Sequence, residues 1–196
     1  MRLIHTSDWH LGQYFFTKSR AAEHQAFLNW LIEQIEQQQV DALIVAGDLF
    51  DTGSPPSYAR ELYNRFVVEL QRTGCQLVVL GGNHDSVATL NESRELLSCL
   101  NTTVIASAQG AAEQQIVVLN QRDGQPGAVL CAIPFLRPRD LLTSRAGESG
   151  AQKQQALQEA IAEHYQTLYQ AACERRDQLS ALPAQTRHLG GIRLIL

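Results

Sequence analysis

The sequence has no surplus of positive charge. Its 196 residues include 16 lysines and arginines against 20 aspartates and glutamates, which gives a net charge of −4. A strongly basic composition is the usual mark of a nucleic-acid-binding protein, and it is missing here. The balance does not exclude nucleic acid, because a local groove or bound metal cations can supply a positive field.

Paired cysteines and long apolar runs are also missing. The four cysteines are far apart and form no Cys-x-x-Cys pair, which argues against a disulfide framework and favours a reducing compartment. The chain starts directly on a strand-like run, without the charged and apolar regions of a signal peptide. No apolar run approaches the roughly 18 residues that a membrane span requires. We therefore expect a cytoplasmic protein with no membrane partner.

The first half alternates strand-like and helix-like patterns, and a hydrophobic fraction of 44% is enough for a substantial core. Three near-continuous apolar strands are predicted, at 2–7, 41–48 and 76–80. Amphipathic helices are predicted over 24–35 and 54–70, with Ser54 capping the second, and a further helix near 90–100. Buried strands separated by helices predict an α/β fold of parallel βαβ units.

After Leu100 the predicted strands follow one another without long helices between them. They comprise TTVIA (102–106), QQIVVL (114–119) and GAVLCAIPF (127–135), with a hairpin turn at 121–127. From Ala151 to about Arg176 the chain is polar and predicts a long helix. Its apolar face would comprise Leu157, Ile161, Tyr165, Leu168 and Ala172.

Polar side chains follow each of the three predicted parallel strands, at the edge where ligands bind in open α/β sheets. Asp8 and His10 follow the first strand and, in extended backbone, would point to the same side. Asp48 follows the second and has two oxygens that can bridge two cations, and Asn83 follows the third with a neutral carbonyl oxygen. Such mixed ligands suit Mn²⁺, with Mg²⁺, Fe²⁺ and Zn²⁺ as alternatives.

Each motif alone has an ordinary explanation. Asp-x-His recurs by chance, Gly-Asp after a strand is often only a turn, and Gly-Asn-His-Asp can be a turn with Gly82 at positive φ. Their order at three successive strand ends favours a two-metal site, which suits in-line attack on a phosphate ester. His84, next to Asn83, is placed to donate a hydrogen bond to a phosphoryl oxygen or a proton to the leaving alkoxide.

Asp-x-His, Gly-Asp-x-x-Asp and Gly-Asn-His-Asp in this order resemble the calcineurin-like metallophosphoesterase superfamily. The sequences around these motifs are most similar to those of the DNA-repair nuclease subunits of that superfamily. The similar segments are HTSDWHLG, VAGDLFDTGSPPSYA, GGNHDSVATLNESR and IPFLRPRD. The resemblance implies an αββα sandwich and two divalent ions, most often Mn²⁺. It also implies exonuclease action on duplex DNA ends, endonuclease action on hairpins and single strands, a coiled-coil ATPase partner and a homodimer.

Carried over position by position, the resemblance gives each motif residue a role. Asp8 and His10 would hold one metal ion, Asp48 would bridge, and Asn83 would hold the second ion. His84 would be the catalytic histidine. The match covers roughly residues 1–180, so we expect the phosphoesterase domain there and an aberrant or truncated tail over 181–196.

The chain departs from the family pattern in its histidines. The family has a downstream Gly-His element and then Gly-His-x-His, whereas only His188 lies near the first position, after Arg187 rather than glycine. His5 is expected to pack within its strand, and His24 and His164 to lie at interfaces or in solvent. The sandwich is therefore expected to be incomplete at its C-terminal end, without capping or partner-binding domains. We expect weak metal binding, slight turnover and an exposed sheet edge.

Three functional interpretations follow from these residues. The first is a metal-dependent DNA nuclease, and the second is a small-molecule phosphodiesterase or protein phosphatase of the same superfamily. The third is an incomplete fragment that folds or binds a partner without catalysis. Trp9 would stack on a base or, as the sequence favours, pack beneath the site. Three arginines, Arg137, Arg139 and Arg145, would contact phosphates or form a solvated surface.

Overall fold

The computed structural model describes residues 1–142, 149–181 and 191–196. The strands in these residues are β1 (Leu3–Thr6), β2 (Tyr14–Phe15), β3 (Lys18–Ser19), β4 (Ala42–Ala46), β5 (Gln76–Leu80), β6 (Thr102–Ile105), β7 (Ile116–Asn120), β8 (Pro126–Cys131) and β9 (Arg193–Ile195). The helices are α1 (Ala21–Gln37), α2 (Ser57–Arg72), α3 (Val87–Asn91), α4 (Arg94–Ser98), α5 (Pro138–Leu141) and α6 (Gly150–Ser180). None of these helices combines the length and apolarity needed to cross a bilayer.

The first sheet is parallel, with strand order β1-β4-β5-β6. The three parallel strands predicted from apolar runs are confirmed. A fourth joins them, because β6, which we grouped with the second half of the chain, pairs with β5 in parallel. The short helices α3 and α4 supply the crossover that this parallel pairing requires. They lie where one helix was expected near 90–100.

The second sheet contains β7 and β8 as an antiparallel hairpin, with β9 parallel to β8. Gly124 has a φ of +81° in the connecting turn, so the predicted hairpin is confirmed. The two sheets pack face to face, Ile44 and Val78 of the first meeting Leu119 and Leu130 of the second. Because β9 pairs with residues 128–130, it covers part of the edge that we expected to be exposed.

Helices cover both outer faces of this pair of sheets. Leu28 of α1 and Phe66 of α2 pack against Val45 on the outer face of the first sheet. Leu168 of α6 packs against Val129 on the outer face of the second. Alternate residues of each strand therefore point to a helix or to the other sheet, as the two-residue period of a strand dictates. The predicted αββα sandwich is confirmed.

Two helical details differ from the sequence predictions. Helix α2 begins at Ser57 with Pro56 as its N-cap, rather than after Ser54, because the two consecutive prolines keep the preceding backbone extended. Tyr165, expected on the buried face of α6, is 47% exposed. The inward stripe of α6 runs from His164, whose Nε2 lies 3.2 Å from Gln115 Oε1, through Leu168, and Tyr165 lies about 100° round the helix from it.

Of the histidines outside the motifs, two are placed differently from expectation. His5 is exposed rather than packed, since β1 is an edge strand. His24, expected at an interface or in solvent, is only 6% exposed on the inner face of α1, and this burial lowers its pKa. His164 lies at an interface, as predicted. His188 lies outside the described residues.

Candidate metal centre

The three polar motifs meet where β1, β4 and β5 end. Backbone hydrogen bonds continue beyond the ends of the strands, so the segment with Asp8 and His10 runs beside the segment with Gly47 and Asp48. The amide of Asp8 donates to the carbonyl of Gly47 at 3.1 Å, and the amide of His10 donates to that of Asp48 at 3.0 Å. The parallel sheet therefore sets the spacing of the predicted ligands even though they lie in loops.

Three of the predicted ligands adopt left-handed backbone. The φ angles are 56° for Asp8, 45° for His10 and 49° for Asp48. The reason we gave for Asp8 and His10 sharing a side, an extended backbone, is therefore wrong. Their side chains nevertheless meet, with His10 Nε2 3.7 Å from Asp8 Oδ1. This backbone region costs about 1–2 kcal/mol for each residue with a side chain, and such residues concentrate at functional sites.

The side chains of Asp8, His10 and Asp48 form a compact cluster. One ligand atom from each lies within 4.8 Å of the other two, a spacing that lets all three share one divalent cation. Two carboxylates this close repel each other unless positive charge lies between them. Carboxylate oxygens with one imidazole nitrogen suit Mn²⁺ and related ions. The residues present therefore fit a divalent metal.

Asp51 joins this cluster and was given no role from the sequence. Its carboxylate oxygen Oδ1 lies 3.2 Å from His10 Nδ1 and also accepts a hydrogen bond from Gln13 Nε2 at 3.4 Å. A carboxylate on one ring nitrogen of histidine favours the tautomer whose other nitrogen is free to bind a metal. That other nitrogen, Nε2, is the one that faces Asp8. The second carboxylate of Gly-Asp-x-x-Asp was the available sequence signal.

His84 is exposed, and its ring lies edge-on to that of His10, with centroids 5.0 Å apart. Its Nδ1 lies 2.9 Å from the backbone oxygen of Asp51. Because a carbonyl only accepts, this contact puts the hydrogen on Nδ1 and leaves Nε2 for a ligand. The same hydrogen bond raises the pKa of His84, against a smaller desolvation effect and with support from nearby carboxylates. His10, Asp51 and His84 form a second group with ligand atoms within 4.8 Å.

Carboxylates anchor the loop that carries Asn83 and His84. The Asp85 side chain, in a residue only 4% exposed, accepts from the amides of Leu49, Phe50 and Gly82 at 2.9–3.1 Å. Asp48 Oδ1 accepts from the amide of His84 at 3.0 Å. The second and third motifs are thereby tied together. Asn83 is exposed and lines the same cleft as Asp48.

Gly82 is needed for a different reason from the one expected. It has no positive φ, but a Cβ at this position would overlap Asp48 Oδ1. The absence of a side chain therefore lets the loop approach the Asp48 carboxylate closely. This is a packing requirement, and a turn analysis of the sequence alone does not reveal it.

The structure also places Trp9 and two of the three arginines that the sequence analysis considered. Trp9 is 5% exposed beneath it, edge-on to Phe27 and Phe66, so the predicted core role is confirmed. The side chain of Arg139 is 76% exposed, whereas Arg137 turns inward. Arg145 lies outside the described residues.

Comparison with known proteins agrees with the order of the motifs. Residues 1–132 match the family model of the calcineurin-like phosphoesterases. The chain belongs to this phosphoesterase family. It is 65% identical to SbcD of the nuclease SbcCD from Escherichia coli strain K12 over 189 residues, which are 96% of this chain and 46% of that protein.

Two further relatives are SbcD proteins of the same nuclease. The protein of Rhodobacter capsulatus is 38% identical over 154 residues, covering 75% of this chain and 38% of the relative. The protein of Bacillus subtilis is 38% identical over 97 residues, covering 49% of this chain and 25% of the relative. This phosphoesterase chain therefore spans less than half the length of the curated relatives that it matches. The resemblance to nuclease subunits of this family is confirmed.

Proposed function

We propose that this chain carries the metal-binding part of a nuclease site that hydrolyses phosphodiester bonds in DNA with Mn²⁺. The observation that carries the proposal is the convergence of Asp8, His10 and Asp48 within 4.8 Å at the carboxyl edge of a parallel sheet. The similarity to an SbcCD nuclease protein over 96% of the chain supports DNA as the substrate.

Each residue of the centre has a defined task in this proposal. Asp8 and His10 would hold one ion, Asp48 would bridge to a second, and Asn83 would bind that second ion. Bound metal ions supply a nucleophilic hydroxide at neutral pH and neutralise phosphoryl oxygens. Protonated His84 would donate from Nε2 to the phosphoryl oxygen or leaving group, because the hydrogen on its Nδ1 is already engaged with the Asp51 carbonyl.

The proposed substrates and partners are inferred from the similarity to the SbcD relatives. These relatives are named as one component of a nuclease called SbcCD, so an SbcC-type coiled-coil ATPase is the proposed partner. Duplex ends, for 3'-5' exonuclease action, hairpins and single strands are the proposed DNA substrates, in recombination, repair and replication in the cytoplasm. We also propose that the chain forms a homodimer.

A second candidate function is metal binding with little or no catalysis. Among the described residues, the close groups of three or more ligand-type side chains are the two that share His10. The five side chains involved, with Asn83, supply few imidazoles for two ions. A two-metal centre built on so few nitrogen ligands would hold its ions loosely and turn over slowly.

One assay separates these functions. Labelled hairpin DNA and a chromogenic phosphodiester are incubated with the chain, with Mn²⁺ and with chelator, while calorimetry measures Mn²⁺ binding. We expect Mn²⁺-dependent DNA cleavage that His84→Ala abolishes and His5→Ala, at an exposed histidine of β1, leaves unchanged.

The other outcomes are equally informative. Turnover of the chromogenic ester without DNA cleavage would indicate that the substrates are small phosphodiesters rather than DNA. Mn²⁺ binding with no turnover of either substrate would favour the non-catalytic function. A chain that binds no Mn²⁺ would contradict the metal centre itself.

A further inference from the structure

Arg137 lies in the segment IPFLRPRD, which connects β8 of the second sheet to α5. Its guanidinium turns inward, towards the first sheet. Nη2 donates to the carbonyl oxygen of Gly82 at 2.7 Å and to that of Asp85 at 2.8 Å. These two carbonyls lie immediately before Asn83 and immediately after His84. A single nitrogen of Arg137 therefore binds the carbonyls that flank Asn83 and His84.

The neighbourhood of Arg137 reinforces this attachment. The amide of Phe135 donates to the carbonyl of Gly81 at 2.8 Å, and the Phe135 ring lies 5.8 Å from the guanidinium carbon. Nη1 is buried without a hydrogen-bond partner among the described residues. The guanidinium is thus enclosed against the loop, and a surface role in binding phosphate does not fit it.

The loop 82–85 is held by charges of both signs. Carboxylates of Asp48 and Asp85 accept from its amides, and Arg137 donates to its carbonyls. A planar guanidinium nitrogen has two hydrogens in fixed directions, so it sets the separation and orientation of the two carbonyls that it binds. A lysine ammonium at the same place is a freely rotating point charge and does not impose that geometry.

We propose that Arg137 is a positioning residue for the metal centre, and that it orients Asn83 and His84 from the second sheet by holding the carbonyls on either side of them. In this role Arg137 would act through the loop rather than by contacting metal or phosphate itself. Its importance for activity rests on the function proposed above, whereas its effect on the loop does not. The two ideas can therefore fail separately.

Hydrogen exchange tests the positioning role without any metal. Amide exchange of residues 82–85 is compared in the native chain, Arg137→Ala, Arg137→Lys and Arg139→Ala, the last at a neighbouring exposed arginine. We expect exchange in this loop to accelerate at least about tenfold in Arg137→Ala, because two charge-assisted hydrogen bonds are lost. Arg137→Lys should accelerate it less, and Arg139→Ala should not change it.

Chemical rescue distinguishes positioning from a general packing defect. Millimolar guanidinium ion should slow loop exchange in Arg137→Ala and restore its Mn²⁺ affinity, which we expect to be lowered about tenfold. Urea at the same concentration has the same shape without the charge and should do neither.

Three results would overturn the proposal. The first is exchange in the loop of Arg137→Ala that matches Arg139→Ala, and the second is acceleration spread evenly over all amides. The third is equal rescue by urea and guanidinium. If Arg137→Ala does not fold, Arg137→Lys carries the test: faster exchange confined to the loop supports the role, and unchanged or uniform exchange overturns it. A native chain that binds no Mn²⁺ contradicts the proposed function, while the exchange result still decides the role of Arg137.

Discussion

The backbone oxygen of Asp51 lies 2.9 Å from Nδ1 of His84. The carboxylate of the same aspartate lies 3.2 Å from Nδ1 of His10. Asp51 therefore lies against Nδ1 of two histidines: its carbonyl is hydrogen-bonded to His84, and its carboxylate approaches His10 without a hydrogen bond of good geometry. Substitution of the side chain removes only the second of these contacts.

Asp51→Asn should weaken metal binding while leaving the His84 contact in place. The neutral amide removes the negative charge beside His10 and the metal ion, so we expect Mn²⁺ affinity to fall by about tenfold or more. Calorimetric titration of the purified chain measures this. The matched control is Asp177→Asn, an exposed aspartate on α6, which should bind Mn²⁺ as the native chain does. Equal affinities in the two variants would remove Asp51 from the centre.

Asp85→Ala should destabilise the whole fold. Its buried carboxylate accepts from three backbone amides, and the alanine would leave them without that acceptor, at a cost of about 3 kcal/mol or more in the free energy of unfolding. Asp85→Asn keeps one acceptor oxygen and should lose less. Urea denaturation followed by circular dichroism measures both, with Asp177→Ala as the control. A loss below about 1 kcal/mol in Asp85→Ala would show that these hydrogen bonds contribute little.

Gly82→Ala should abolish metal binding. The added Cβ would overlap both Oδ1 and the backbone nitrogen of Asp48, so the two loops must move apart. Gly150→Ala, at the first turn of α6 where the new methyl group meets nothing within 4 Å, is the control and should bind Mn²⁺ normally. Native-like Mn²⁺ binding by Gly82→Ala would mean that the loop can shift without disturbing Asp48.

His24 should make the protein less stable in mild acid. Burial, with a further contribution from Arg20, lowers its pKa below the usual 6.5, while Glu23, Asp51 and His10 also act on it. In the unfolded chain His24 therefore binds a proton near pH 6.5, whereas in the folded chain it stays neutral to a lower pH. The free energy of unfolding consequently falls as the pH drops below about 6.5. His24→Leu should lose less stability than the native chain between about pH 7 and about pH 5. Parallel urea titrations at the two pH values compare them, and equal losses would contradict the prediction.

The sequence predicted most of the sheet because its strands are nearly continuous apolar runs. The prediction for β5 was exact in its bounds, 76–80. The parallel placement of β6 was missed although a helix was predicted near 90–100, because β6 was grouped with the strands that follow it; the connection is in fact two helices of five residues each, α3 and α4. The proline pair before α2 outweighed the serine that resembled a cap.

The site was predictable where motif order carried the information. Asp8, His10 and Asp48 do converge, although through left-handed backbone that no alternation rule anticipates. Asp51 and Arg137 were not assigned these roles, because each acts on residues 33 to 55 positions away through contacts that exist only after folding. Such contacts depend on the direction in which a side chain or a carbonyl points, and this direction cannot be derived from residue spacing.

The left-handed backbone at Asp8, His10 and Asp48 has a consequence for engineering this chain. Glycine at Asp8 or His10 would relieve local strain, so a selection for thermal stability alone would favour it there, whereas the Asp48 carboxylate also anchors the amide of His84. The same change would delete a ligand. A stability-optimised descendant of this sequence would therefore be expected to lose its metal centre before it lost its fold.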